Sequence, residues 1–173
     1  AAPISGLPPR DASLIQPRYV ASHWRKYEEG AAKAGRKADR RIWRVARSVW
    51  VDESAAAAED YIGRPDGVFN FYYRYMMSAF IKRGTLEYQR PDGREKDESV
   101  TWLDIAKSQL AWGTPAMVLD KLIWLTDKVG PFGTLLLTGH EWDDVPRCRR
   151  SMQLFAEQVA PKLSQHMAAR LAA

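Results

Sequence analysis

His140 is the residue in this chain best placed to do chemistry. It follows a nearly continuous apolar run, Phe132 to Leu137, and stands beside Gly139, Glu141 and Trp142 just beyond that run. Such a run is what a parallel strand covered on both faces requires, and α/β sheets place their ligands at the C-terminal ends of their strands. An imidazole there can hydrogen-bond a reacting group or exchange protons with it near neutral pH. The other reading is a loop or capping histidine. Glu141 can cap or pair, and Trp142 can pack against a ligand ring or against the closing helix. His23 and His166 show no ligand spacing with His140, and the sequence has no GxGxxG, Walker, HExxH or paired-cysteine zinc pattern.

Two other groups of side chains have chemical potential. Arg41 to Val51, RIWRVARSVWV, reads as a strand rich in Val, Ile and Trp. Arg44 and Arg47 lie an odd number of positions apart in it, so they point to opposite faces. The arginine that enters the interior can pair with a carboxylate or steady an anionic ligand. Further on, Phe69, Tyr72, Tyr73, Met76 and Phe80 recur at helical spacing. They form either one apolar helix face or an adaptable roof over a substrate pocket.

The elements that hold these residues can be read in order. Ala1 to Gly6 is a short apolar strand candidate, followed by a loop to about Gln16. Pro17 starts a helix whose apolar face is Val20, Trp24, Tyr27 and Ala31, ending at Gly35. Ser54 caps the alanine-rich helix after the Arg41–Val51 strand. Arg90 to Ser99, with its Pro-Asp-Gly turn, reads as an exposed loop able to act as a lid hinge. Val100 to Leu110 resumes a helical pattern. Thr114 caps a further helix with Pro115 at its first position and Val118, Leu122, Leu125 and Val129 along one face, and Gly130-Pro131 stops it.

Composition excludes several classes. With 46% hydrophobic and 27% charged residues, the 173-residue chain is of ordinary globular composition. Its net charge of +5 comes from 26 basic residues interspersed with 21 acidic ones. That distribution describes a solvated surface rather than a nucleic-acid face. The lone Cys148 has helical spacing with Met152, Phe155 and Val159, as a packed residue would. No stretch is apolar enough to span a bilayer, and no signal peptide opens the chain, so a cytoplasmic protein is expected. The chain begins on Ala rather than Met, which fits a processed product or a fragment.

GTP opening a helix, VGPFGTLLLTGHEWDD as the last strand and RRSMQLFAEQVAPKL as the closing helix together resemble the bacterial luciferase-like flavin-dependent monooxygenases. AAPISG, VASHWRKYEEGAAKAGR and WRVARSVWVDES resemble the preceding units of that family. The resemblance implies an α/β fold: the C-terminal portion of a TIM (β/α)8 barrel with parallel strands. Residues 1–173 would be a partial barrel domain whose N-terminal half is absent, with residues 64–110 an inserted helical and loop segment. It implies a two-component enzyme in which a separate reductase supplies reduced FMN, and oxygen added to the flavin is passed to a small organic substrate; a deazaflavin is the second cofactor possibility. The family's phosphate-binding serines have no counterpart here. In that frame His140 is the catalytic candidate. Ser5, Arg47 and Trp142 are the cofactor-binding candidates, and Tyr72, Tyr73 and Met76 the substrate-binding ones. No metal site is expected. The alternative is a noncatalytic half-barrel or split-subunit association module, partnered by the N-terminal half or by a second protomer. Three strands cannot close an eight-stranded barrel, so association is expected either way.

Overall fold

The computed structural model describes residues 10–11, 15–92 and 99–172. The strand expected at Ala2–Ser5, Ser5 itself, and positions 93–98 of the expected lid loop lie outside the described residues. Within the stretch read as loop, a short strand, β1, occupies Arg10–Asp11.

Arg41 to Val51 is less regular than its composition suggests. Asp39 accepts a hydrogen bond from the Arg41 backbone N–H and opens a 3-10 turn at Arg40–Ile42. Two strands follow, β2 (Arg44–Arg47) and β3 (Val49–Val51), separated at Ser48. β2 pairs in parallel with β1 and with β5 (Thr134–Leu137), and β3 pairs in parallel with β4 (Ala111–Gly113). The carbonyls of Trp43 and Arg47 accept from the Gly133, Thr134 and Thr138 amides, whereas Ser48 and Asp52 bond to β4. Odd and even backbone groups of an extended chain point to opposite edges, so β4 and β5 flank this segment from two sides.

β4 is an addition to the sequence reading, which carried the helix of Val100–Leu110 up to Gly113 without a strand. Three residues, one of them glycine, are too few to display an alternating pattern.

Helices connect the parallel strands, as crossover geometry demands. α1 (Pro17–Lys33), α2 (Ala55–Gly63) and α5 (Pro115–Val129) begin where expected: Ser54 caps α2, and Thr114 caps α5 ahead of its proline. Between them lie α3 (Val68–Lys82) and α4 (Trp102–Gln109), the latter closed by a reciprocal Thr101–Asp104 capping box. α6 (Val145–Leu154) passes through a π-helical turn at Phe155–Val159 into α7 (Ala160–Ala172).

Side-chain alternation along Trp43–Val51 divides two cores. Trp43, Val45, Val49 and Val51 pack with Val20, Trp24, the apolar face of α5 and Leu163. Trp50 instead joins Tyr61, Phe69, Tyr73, Ile105 and Cys148. The expectation of a β5 buried on both faces is corrected: Leu136 and Leu137 are 40% and 44% exposed, and among the described residues β2 is the strand's single neighbour. The apolar run is real, but Leu136 and Leu137 point to opposite faces and both stay partly exposed, while Leu135 packs against the core.

β5 is seated by a close backbone approach. A Cβ added to Gly133 would lie 1.7 Å from the Arg41 carbonyl oxygen, backbone against backbone, with no flexible side chain able to yield. Gly133→Ala should therefore destabilise the chain by about 1–3 kcal/mol, the usual cost of overpacking. Chemical denaturation measures it, and a loss below roughly 0.5 kcal/mol, the scale of a neutral surface change, would contradict the close approach.

Candidate functional site

His140 sits on the Thr138–Asp143 loop that follows β5. Its Nε2 lies 2.9 Å from Ser48 Oγ, at the break between β2 and β3. Two rings of α3 enclose it edge-on, Phe69 at 5.0 Å and Tyr72 at 4.6 Å between centroids. This burial pushes the His140 pKa down to about 4, so the imidazole is neutral at physiological pH. Ser48 and Tyr73 extend the polar seam inward. The Tyr73 hydroxyl is buried without a well-formed hydrogen bond, and that burial raises the phenol above its usual range, an effect partly offset by nearby Ser48 and Arg47.

The imidazole lies on a wall shared by two spaces. The inner one is a largely apolar cleft of about 210 Å³, whose lining includes Trp50, Tyr61, Phe69, His140, Trp142 and Met152. The outer one is a wider groove of about 570 Å³, bordered by Asp66, Phe71, Tyr72, His140, Glu141 and Asp143. Among the described residues, no lysine or arginine lines either space. Trp50 stacks on Tyr61 with ring centroids 3.8 Å apart and planes 9° from parallel, giving the inner cleft a rigid aromatic floor.

Beneath the loop is a polar clasp. The Tyr61 hydroxyl donates to Asp143 at 2.5 Å, and Arg64 donates to the other carboxylate oxygen at 2.7 Å. The Arg147 guanidinium lies over the Tyr61 ring and bonds Asp52 at 3.0 Å and the Ala57 carbonyl at 2.6 Å. Burial first, then the hydrogen bonds to Asp143 and Cys148, raise the Tyr61 pKa, so the phenol keeps its proton.

The candidate residues therefore divide. His140, Trp142 and Tyr72 border the two spaces, and Tyr73 stands behind them in the core. Met76 is half-buried on α3 and lines neither space; the neighbouring Met77 packs into the core instead. Arg47 points away from His140 into the helix layer, where with Lys121, Ser108 and Gln109 it borders a cavity of about 10 Å³, room for one water. Ser48, Trp50, Tyr61 and Asp143 were not singled out by sequence. Only Ser48 carried a usable signal: strand alternation places it on the face opposite Arg47. Among the described residues no group of His, Cys, Asp and Glu could hold a metal ion.

Comparison with known proteins meets this geometry. The 4-hydroxyprotoasukamycin monooxygenase of Streptomyces nodosus subsp. asukaensis is 32% identical over 166 residues, 95% of this chain and 42% of that protein. Over nearly its whole length the chain is similar to the luciferase-like flavin monooxygenase family. Within that family, the 3,6-diketocamphane 1,6-monooxygenase of Pseudomonas putida is 26% identical over 148 residues, covering 82% of this chain and 37% of the relative. The solved oxygenating constituent of 3,6-diketocamphane monooxygenase from the same organism, in complex with FMN, superposes with a TM-score of 0.76 at 23% identity, over 88% of this chain and 41% of that one. The parallel strands and crossover helices are thus part of the luciferase-like TIM barrel. The chain spans about two fifths of the length of these relatives. No family model matches it.

Proposed function

We propose that this chain is the C-terminal part of a two-component FMN-dependent monooxygenase acting on a small organic substrate. The observation that carries the reading is the neutral, half-buried His140, set after the last parallel strand on the wall between two ligand-sized spaces. Kinship with flavin-dependent monooxygenases supports the reaction class.

The inner cleft fits a flavin ring. Trp50 is 5% exposed, lines the cleft, and holds an indole N–H without an acceptor among the described residues. A buried donor of that kind favours a ligand carrying a ring carbonyl or ring nitrogen. Phe69 and Trp142 add aromatic walls, and the family resemblance leaves the phosphate to residues of the N-terminal half. When bound, FMN supplies the oxygen-activating redox chemistry. His140 holds a neutral imidazole at the edge of that cleft, fixed by Ser48, and exchanges a proton with the reacting group. Tyr72 and Phe71 border the outer groove as the substrate wall. α3, within the 64–110 segment, borders both spaces through Val68, Phe69, Phe71 and Tyr72, as a roof over a pocket would. A separate reductase supplies the reduced flavin, and a deazaflavin is the secondary cofactor. No helix among the described residues is long and apolar enough to cross a membrane.

The exposed Leu136 and Leu137 on edge strand β5 favour association with the N-terminal half or a second protomer. A noncatalytic association module would share that surface, and flavin binding by the assembled protein separates the two. The direct test combines the chain with the N-terminal half and an FMN reductase. His140→Ala should lower turnover by roughly 10²-fold, the lower range for a general acid–base group, with FMN affinity changed by less than about 3-fold. Undiminished turnover would remove His140 from the reaction.

A further inference from the structure

We infer that Asp143 is the positioning residue for His140, clasped by Tyr61 and Arg64 so that the loop after β5 delivers the imidazole to Ser48. The inference rests on the assignment of His140 as the reactive group but is tested without flavin or substrate.

The loop offers few other anchors. Gly139, Glu141, Trp142 and Asp143 are all exposed residues, but the Asp143 side chain is only 23% exposed, and a Cβ added at Gly139 would meet no atom within 4 Å. Among the described residues, the side-chain hydrogen bonds that tie Gly139–Asp143 to the body are His140 to Ser48, and Asp143 to Tyr61 and Arg64. Asp143 thus receives two donors on two different oxygens, one from the last turn of α2 and one from the residue that caps it. A carboxylate held at both oxygens fixes direction as well as distance, and charge-assisted bonds of this kind are the stronger class. Asp144 then begins α6 by capping the Arg147 amide, so the loop is clamped immediately before the helix. Tyr61 is itself held in place by its stack on Trp50 and by the Arg147 guanidinium over its ring. Through this chain of contacts the position of α2 is transmitted to the imidazole.

Two opposing effects on His140 make the role measurable. The charged or titratable groups around it are Glu141 and Asp143 on the loop, Tyr61 on α2, Arg64 and Asp66 after it, Tyr72 and Tyr73 on α3, and Cys148 on α6, while Arg47 on β2 faces the helix layer. Removing the Asp143 carboxylate takes away a negative charge, which alone would make the imidazole harder to protonate. Releasing the loop returns the imidazole to water, which makes it easier to protonate. A rise in the His140 titration midpoint can therefore come only from repositioning.

The experiment is an NMR histidine titration of the wild-type chain, Asp143→Ala, Asp143→Asn and Tyr61→Phe, with Glu141→Gln as control. In Asp143→Ala the midpoint should rise from about 4 by at least roughly one pH unit, a tenfold change in protonation equilibrium. Asp143→Asn and Tyr61→Phe, which each keep part of the clasp, should give smaller rises, and Glu141→Gln none. Tyr61→Phe retains the Trp50 stack and serves where Asp143→Ala fails to fold. A midpoint that stays put or falls in folded Asp143→Ala or Tyr61→Phe overturns the inference. Should the midpoint rise while the assembled enzyme shows no oxygenation, the clasp stands and the catalytic assignment fails.

Discussion

Trp43→Ala should cost about 3–5 kcal/mol of stability, the range for deleting a large aromatic side chain from a core. Trp43 is completely buried, tilted against Trp24 at 5.1 Å and edge-on to Phe132 at 6.3 Å. The Arg40 guanidinium covers it at 5.3 Å while bonding the Val129 and Pro131 carbonyls at the end of α5. Its own carbonyl receives the Gly133 and Thr134 amides that start β5. Removing the indole therefore opens a cavity among α1, β2 and the entry to β5, and leaves the Arg40 cation without one of its two aromatic faces. In thermal unfolding the midpoint should fall on the order of 10 °C for a domain of this size. Trp43→Phe, which keeps a ring against Trp24, should lose less than half as much. A loss below about 1 kcal/mol for Trp43→Ala would mean that the aromatic cluster does not hold the core.

Acid should weaken the fold through His140. The unfolded chain protonates this histidine near 6.5, the native chain only near 4, because burial excludes the charged form. Between those values the unfolded state binds the extra proton, so stability rises with pH and is lost as pH falls. The contribution is whole above pH 6.5, declines by up to about 1.4 kcal/mol per unit below it, and levels off below pH 4, for a total of ~3 kcal/mol. Denaturant unfolding of wild type and His140→Gln, compared across that window, isolates it from the carboxylates common to both. Parallel pH profiles for the two proteins would show that the imidazole is not buried in solution.

The sequence disclosed what depends on neighbours in the chain. Thr114-Pro115, Ser54 and Gly130-Pro131 start and stop helices through bonds made within four residues, and all three behave as their types require. The 3.6-residue face of α5 and the beginning of α1 were visible for the same reason. His140 was legible because a strand end and a polar loop are adjacent in sequence. The rest depends on distance. Tyr61 and Asp143 are 82 positions apart and meet only because β5 lies beside β2, whose continuation β3 leads into α2. β4 has no pattern of its own and is a strand only because β3 offers it a partner. Arg47 could be read as alternating with its neighbours, but alternation does not say which face holds the ligand; packing against α5 does. The exposure of β5 was hidden because an apolar run reports the cover a strand needs and not the chain that provides it.

The odd–even division of Trp43–Val51 makes this segment intolerant of length change. Inserting or deleting one residue near Arg44 would send Arg47 toward His140, turn Ser48 into the helix layer, and carry Trp50 off the Tyr61 ring. Both cores and the histidine's hydrogen bond would fail together. Surface loops absorb insertions cheaply, whereas here the chain acts as a ratchet with one permitted tooth, and the reading frame of a single strand decides whether the molecule has a site at all.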